Sequence, residues 1–331
     1  MTRRVIAKDQ QVRCGDPRDC FVAALFAMTS LALPPLATAQ TFPAKPIRIV
    51  TTETGSANDV VARMISQKLS PSLGHQLIVD NRGIIAGEIV SRAAPDGYTL
   101  LSYGSPLWLS PFIRNVSYDP VADFSPITVS AVAPNMLVVH PSLPVSSVKE
   151  LIALAKARPG ELNYGSSSTG GTPHLAAELF KTMAGVNIVR VPYKGSGPGL
   201  IALMGGEVQL SFPSAGAATP YVRGGKLRAL AMTSLEPSPL APGLPTMAAA
   251  GLPGFESTSV LAIFAPARTP AAIVSKLNQE IAQTVRSTDL KDRLFKLGLE
   301  AVGGTPEQTA ATIKAEMAKW GRVIKEAGIR E

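Results

Sequence analysis

Five short segments rich in serine, threonine and glycine are the parts of this chain whose residue types best suit chemistry. They span residues 51–59, 102–106, 165–174, 192–198 and 213–216. Their hydroxyl and backbone N–H groups donate hydrogen bonds, which a carboxylate or another oxygen-rich anion needs from a pocket. One such segment alone is more often a simple helix cap. Because there are five of them, we predict a pocket for an anion.

Metal and thiol chemistry is not expected. The three histidines, His75, His140 and His174, show no HxH or HxxxH spacing. The two cysteines, Cys14 and Cys20, are too few for a four-cysteine site or a disulfide scaffold. We therefore predict no metal and no cofactor.

Catalytic motifs do not support an enzyme either. No G-x-S-x-G nucleophile elbow occurs, and no phosphate-binding glycine motif follows a predicted strand. The serines of residues 166–168 leave an exported serine hydrolase as an alternative, although no convincing base accompanies them. We predict a binding protein that is not an enzyme.

Composition and charge narrow the class of partner. The chain has 331 residues, of which 46% are hydrophobic, and this is enough for two lobes with cores of their own. Lysine and arginine number 32 against 24 acidic residues, which gives a net charge of +8. These basic residues are scattered along predicted helix faces without interleaved aromatic residues, so nucleic-acid binding is not expected.

Alternating strands and helices must position the five segments. The pattern predicts strands at residues 47–50, 98–101, 162–164, 188–191 and 208–212, each followed by one of the segments. Helices are predicted between and after the strands, for example at residues 148–157 and 271–286. This alternation predicts an α/β protein with parallel sheets in two lobes. In such folds ligands bind beyond the carboxyl ends of the strands.

The first 39 residues have the pattern of a secretory signal peptide. A basic segment precedes an apolar run at residues 21–33, and Ala37 and Ala39 supply the small residues of a cleavage site. We predict cleavage after Ala39 and export to the periplasm, which removes both cysteines. An uncleaved anchor, a buried helix and a later translation start remain alternatives.

Several longer motifs point to a known family. They are Asp96-Gly-Tyr-Thr-Leu100, Tyr118-Asp-Pro120, Val191-Pro-Tyr-Lys-Gly195, Gly225-Lys-Leu-Arg-Ala-Leu230 and Val302-Gly-Gly-Thr-Pro306, in that order. Through them the chain resembles the Bug/TctC family of periplasmic solute-binding receptors of tripartite tricarboxylate transporters. The resemblance covers nearly the whole chain after the signal peptide.

The resemblance implies a type II periplasmic binding fold with a ligand cleft between two lobes. One lobe would hold residues 40–137 and 259–331, and the other residues 138–258. It implies a monomeric receptor that captures a small organic carboxylate and passes it to a membrane permease pair. A sensory receptor that presents its ligand to a signalling partner is the alternative. By position, the resemblance implies ligand contacts from Thr51, Gly55, Ser56, Ala57, Asn58, Asp59, Gly104, Ser105, Ser166, Thr169, Gly170, Phe212 and Ser214.

The chain departs from the family pattern at two places that bear on specificity. Glu53 adds a negative charge to the first segment, where it would repel a carboxylate if it faced the cleft. Pro213 stands after Phe212, where many members carry an aspartate that can pair with an amino group. Our hypothesis is that this protein does not bind amino acids and takes a neutral-tailed or aromatic carboxylate.

Overall fold

The computed structural model describes residues 42–167 and 169–330, without the side chain of Ser196. The predicted signal peptide, both cysteines and Ser168 lie outside the described residues. Within the described ranges, no helix is both long enough and apolar enough to cross a membrane.

The described residues form eleven strands and ten α-helices. The strands are β1 (Ile47–Thr51), β2 (Leu77–Asn81), β3 (Thr99–Gly104), β4 (Phe124–Pro134), β5 (Met136–Val139), β6 (Asn163–Ser166), β7 (Val189–Pro192), β8 (Leu210–Ser211), β9 (Arg228–Met232), β10 (Thr258–Pro266) and β11 (Glu300–Ala301). The helices are α1 (Ala57–Leu73), α2 (Ala86–Ser91), α3 (Pro106–Leu109), α4 (Val148–Ala157), α5 (Thr172–Ala184), α6 (Ser196–Met204), α7 (Ala215–Arg223), α8 (Ala271–Arg286), α9 (Thr288–Lys296) and α10 (Pro306–Glu326).

Two separate sheets divide the fold into two lobes. The first lobe is built on six strands in the order β11-β4-β10-β3-β1-β2, and the second on five strands in the order β7-β6-β8-β5-β9. The prediction of an α/β fold with two sheets is confirmed. The prediction of all-parallel sheets is wrong, because β10 runs antiparallel to both β3 and β4, and β5 runs antiparallel to β8 and β9.

The reversed strands β5 and β10 are the first strands that the chain enters after each passage between the lobes. The first passage runs from β4 to β5 through Asn135, and the second from β9 to β10 through residues 233–257. Met136 and Leu137, which the family resemblance implies for the first lobe, belong to a strand of the second sheet. The predicted limits of the two lobes, at residues 137/138 and 258/259, stay a prediction.

Buried apolar side chains on both faces of each sheet hold the helices in place. In the first sheet, Leu100 and Leu101 are successive residues of β3, so their side chains point to opposite faces. Leu100 packs in a core with Val61 of α1 and Leu277 of α8. Leu101 belongs to a second core, which also contains Trp320 of α10 and buried residues of the second lobe.

Local sequence signals fix several of the helix ends. The Ser56 hydroxyl accepts a hydrogen bond from the backbone N–H of Asp59 at 3.2 Å and begins α1. Thr305 and Gln308 form a reciprocal capping box that begins α10. Helix α4 has the predicted bounds, with Ser147 as its N-cap. Helix ends near the cleft are therefore set by short-range chemistry.

Candidate ligand-binding site

A cavity of about 360 Å³ lies between the two lobes. The first lobe lines it with Gly55, Ala57, Val60, Ala133, Ser259 and residues 297–299. The second lobe and the passage into it contribute Asn135, Thr172, Pro173 and Ser214. We call this the interlobe cavity; no charged side chain is among its lining residues.

Three helices begin at the wall of the interlobe cavity. Ala57 is the first residue of α1, Thr172 is the first residue of α5, and Ser214 is the N-cap of α7. Each helix N-terminus has backbone N–H groups without an intrahelical partner and a partial positive charge of about half a unit. Pro173 supplies no N–H in the first turn of α5, and the Asp59 carboxylate offsets part of the positive charge at the start of α1. Within the described residues, no side chain caps α5 or α7. The interlobe cavity therefore offers an anion backbone hydrogen-bond donors and a positive potential, although no charged side chain lines it.

The side chain of Asp59 supports the first of these helix ends from behind. It is 2% exposed, and it accepts hydrogen bonds from the backbone N–H of Gly55 at 2.9 Å and from Asn81 at 2.8 Å. Arg63 forms an ion pair with it at 2.9 Å. Burial alone raises the pKa of Asp59, but these hydrogen bonds and the Arg63 charge outweigh it and lower the pKa. The ionised carboxylate shapes the loop at Gly55.

The structure brings some of the predicted site residues to the interlobe cavity and places others away from it. Gly55, Ala57 and Ser214 line the interlobe cavity. The Thr51 hydroxyl donates to the carbonyl of Ser102, and Phe212 is fully buried against Phe180. Ligand contact stays a prediction for all of the predicted residues. Those that do not line the interlobe cavity are Thr51, Ser56, Asn58, Asp59, Gly104, Ser105, Ser166, Thr169, Gly170 and Phe212.

A second cleft cavity of about 310 Å³ contains the charged groups that the interlobe cavity lacks. Glu53, Tyr103 and Arg114 of the first lobe line it, opposite Thr169 and Gly170 of the second. Burial raises the pKa of Tyr103, and the Glu53 carboxylate adds to the increase. Glu53 thus faces the cleft, although it lines this second cavity and not the interlobe cavity.

Arg190 and His174 hold the loop that precedes α5. The Arg190 guanidinium donates to the Ser166 hydroxyl at 2.8 Å, to the Ser167 carbonyl at 3.0 Å and to the Thr169 hydroxyl at 3.3 Å. His174 Nδ1 accepts from the backbone N–H of Gly170 at 3.1 Å. Burial, reinforced by the Arg190 charge, lowers the pKa of His174 to about 4, so the imidazole is neutral and accepts this hydrogen bond.

These contacts do not form a nucleophile and base pair. The Ser166 hydroxyl is bound by Arg190, and His174 Nδ1 is bound by a backbone N–H. Within residues 42–167 and 169–330, no three His, Cys, Asp or Glu side chains are grouped so that they could hold a metal ion. The polar network shapes a wall of the cleft.

The passages between the lobes meet at Thr233, which sequence analysis missed. Its hydroxyl accepts from the backbone N–H of Asn135 at 2.8 Å and lies 2.9 Å from the Asn135 carbonyl and 2.5 Å from the Ser257 carbonyl. All three residues are buried. One side chain therefore ties both passages together at the floor of the cleft.

Asn135 also lines the interlobe cavity, and its side chain is incompletely satisfied. The residue is 2% exposed, and its amide nitrogen has no hydrogen-bond partner within the described residues. An unpartnered buried amide is unfavourable by about 1–3 kcal/mol, and a ligand oxygen could supply the missing acceptor. No local pattern in the sequence marks this residue, because its place depends on the pairing of the two lobes.

A larger cavity of about 650 Å³ lies on the second lobe, away from the cleft. Helix α7 connects the two sites, since its N-cap lines the interlobe cavity and Thr219, Val222 and Arg223 near its other end line the larger cavity. We call the larger one the outer cavity. Its other lining residues are Met136, Pro141, Gly225, Leu227, Arg228, Ala229 and residues 240–244.

The family follows from comparison with known proteins. The sequence model of the tripartite tricarboxylate transporter family receptor, TctC, matches residues 61–329. The chain belongs to this family. Protein BugT of Bordetella pertussis is 35% identical over 317 residues, which is 93% of this chain and 97% of BugT. TctC receptors are solute-binding proteins, and the chain has their two-lobe fold.

Solved TctC-type structures share this fold over their whole length. Rpa4515 of Rhodopseudomonas palustris, solved with adipate, has a TM-score of 0.74 and 39% identity, and covers 88% of this chain and 100% of its own. MatC of the same organism, solved with bound malate, has a TM-score of 0.69 and 28% identity, and covers 86% of this chain and 100% of its own. The periplasmic binding protein BugD has a TM-score of 0.71 and 29% identity, and covers 88% and 100%.

Proposed function

We propose that this TctC receptor binds a small organic carboxylate in the interlobe cavity. The convergence of three helix N-termini on an uncharged cavity is the observation that carries the proposal. A carboxylate gains hydrogen bonds and dipole attraction there without displacing an internal counter-ion. A volume of about 360 Å³ lies at the small end of the range for ligand pockets, which suits a compact acid.

Ligands of two relatives support this class of solute. Rpa4515 was solved with adipate and MatC with malate, and both acids are linear dicarboxylates. A dicarboxylate differs from the neutral-tailed or aromatic carboxylate of our sequence hypothesis, and titration with benzoate tests that hypothesis. Two carboxylates at opposite ends of a short chain match an arrangement in which helix N-termini come from both lobes. We propose Gly55, Ala57, Asn135, Thr172 and Ser214 as the residues that contact the ligand.

We further propose that the receptor is exported, cleaved after Ala39, monomeric, and a donor of its ligand to a permease pair. Membership in the TctC family supports the transport role. N-terminal sequencing of the exported protein tests the cleavage, with residue 40 expected first. A start upstream of Ala39 would place the cleavage site elsewhere.

We propose that amino acids are excluded from the site. An amino-acid ligand brings an ammonium group, which needs an acceptor of negative charge. The lining of the interlobe cavity contains no acidic side chain, and Pro213 supplies none. Glutamate and aspartate would each leave a buried cation unpaired.

Isothermal titration calorimetry with adipate, malate, benzoate and glutamate tests the proposed function. We expect saturable binding of at least one of the first three acids, and at least 100-fold weaker binding of glutamate. Absence of binding for all of the carboxylates would reject the proposed ligand class. Tight binding of glutamate would reject the exclusion of amino acids while leaving the receptor function intact.

A further inference from the structure

A contact between two glycine backbones joins the lobes beside the interlobe cavity. Gly216 is the second residue of α7, and Gly298 lies in the turn between α9 and β11. A Cβ atom placed on Gly216 would lie 2.6 Å from the Leu297 carbonyl oxygen. A Cβ atom placed on Gly298 would lie 2.3 Å from the Cα atom of Gly216. Neither position accepts a side chain while the two segments are this close.

The two glycines have different reasons to be glycine. Gly298 has φ +73°, a left-handed conformation that favours glycine whatever surrounds it. Gly216 is a helical residue outside that region, where alanine fits the backbone and strengthens the helix. Glycine at position 216 is therefore explained by the close approach of the opposite lobe, and not by the backbone conformation.

The position of this contact connects it with ligand capture. Ser214, two residues before Gly216, and residues 297–299 all line the interlobe cavity. The contact thus closes one flank of the cavity. Only two passages of the chain link the lobes within the described residues, and both pass the floor of the cleft near Thr233. Such a pair of passages can serve as a hinge, about which the flank opens and closes.

We propose that the Gly216–Gly298 contact forms when the lobes close on ligand, and that Gly216 is an affinity-determining residue. The proposal rests on the proposed receptor function. A methyl group at position 216 would obstruct the closed arrangement and leave an open arrangement unaffected. Because ligand affinity depends on the population of the closed form, the substitution would lower affinity without unfolding the protein.

Gly216→Ala and the matched control Gly199→Ala test this proposal. Gly199 is a helical glycine of the same lobe, in α6, where a Cβ atom would lie an ordinary 3.6 Å from Tyr193. Thermal unfolding of both variants and the wild type is measured without ligand. The affinity of the same preparations for adipate and malate is then measured by calorimetry. Their radius of gyration is measured by small-angle X-ray scattering with and without each acid.

We expect the ligand-free melting temperature of Gly216→Ala to match or exceed that of the wild type, as for Gly199→Ala. With ligand, we expect Gly216→Ala to bind at least tenfold more weakly than the wild type and to lose the ligand-induced fall in radius of gyration. Wild-type affinity, or wild-type compaction, in Gly216→Ala would overturn the proposal.

The melting temperature without ligand tests the proposal independently of any ligand binding. A melting temperature of Gly216→Ala more than about 4 °C below that of Gly199→Ala would show that the contact is a permanent part of the fold, and would overturn the proposal. If the wild type and Gly199→Ala bind neither acid, the proposed ligand class is in error, whereas an unchanged melting temperature still supports a separable contact.

Discussion

The interlobe cavity and the outer cavity lie at opposite ends of the same helix, α7, and they differ in what they offer a ligand. The outer cavity is larger, at about 650 Å³ against about 360 Å³. Mostly apolar side chains line it near the C-terminal half of α7, together with Arg223 and with Arg228, whose guanidinium donates to the backbone carbonyls of Leu143 and Val145. The interlobe cavity is smaller, and three helices begin at it. We therefore assign the proposed anion site by helix direction and not by cavity size.

The largest expected difference between the cavities is the loss of ligand affinity when a substitution adds a carboxylate to one or the other. Ser214→Asp replaces an N-cap serine that makes no capping hydrogen bond with another residue type favoured at that position. It puts a negative charge where the ligand carboxylate would bind. We expect at least a 100-fold loss of adipate or malate affinity by calorimetry. Ala241→Asp adds the same charge to the outer cavity, and we expect wild-type affinity. Equal losses in both variants would contradict the assignment of the site.

Acid should destabilise the second lobe through His174, which lies behind the cleft wall and not in either cavity. Burial lowers its pKa to about 4, below the ordinary 6.5, so the unfolded chain binds a proton that the folded protein does not. Stability is therefore fully present above pH 6.5 and lost as the pH falls towards 4. We expect a loss of about 2 kcal/mol between pH 7 and pH 4.5 from this residue.

Denaturant unfolding across this pH range tests the His174 effect. Stability of His174→Gln should fall less with acid than that of the wild type. A wild-type slope in His174→Gln would show that other groups cause the acid sensitivity.

Neighbouring residues separate the two cavities at the passage between the lobes. Asn135 lines the interlobe cavity and Met136 lines the outer cavity. We expect Asn135→Ala to weaken carboxylate binding about tenfold, because one hydrogen bond to a charged group is lost. Met136→Leu should bind as the wild type does. Calorimetry on both variants checks this, and equal affinities would remove Asn135 from the site.

Glu53 should give the smallest effect, since its side chain is exposed and solvent screens its charge. Removal of the charge in Glu53→Gln should raise adipate affinity about two- to fivefold at low salt, and less at high salt. Titrations at two salt concentrations measure this. A loss of affinity would mean that the Glu53 carboxylate attracts the ligand.

The helices and strands that the sequence predicts best are those whose ends are marked by nearby residues, such as N-caps and turns. Helix α4 has its predicted bounds, because Ser147 caps it and the chain turns at Pro159 and Gly160. Helix α5 begins at Thr172, inside the predicted anion-binding segment 165–174, so Thr172 and Pro173 belong to a helix N-terminus instead of a loop. Strands β4 and β10 were not predicted, and the reversal of β10 has no periodic signature, because strand direction depends on partners far along the chain.

The site shows the same division between local and distant information. Gly55, Ala57 and Ser214 belong to hydroxyl-rich segments that the sequence marked as anion-binding, and they line the interlobe cavity. Asn135 and Arg190 lie outside such segments. Asn135 reaches the cavity because the two lobes meet there, and Arg190 reaches Ser166 because β7 pairs with β6. Neither pairing can be inferred from neighbouring residues in the sequence.

A crystal structure of the exported protein grown with adipate would test the central claim most directly. We predict that a carboxylate of the ligand lies in the interlobe cavity, within hydrogen-bonding distance of the helix N-termini at Ala57, Thr172 and Ser214. Adipate bound in the outer cavity, with the interlobe cavity lacking it, would contradict the account.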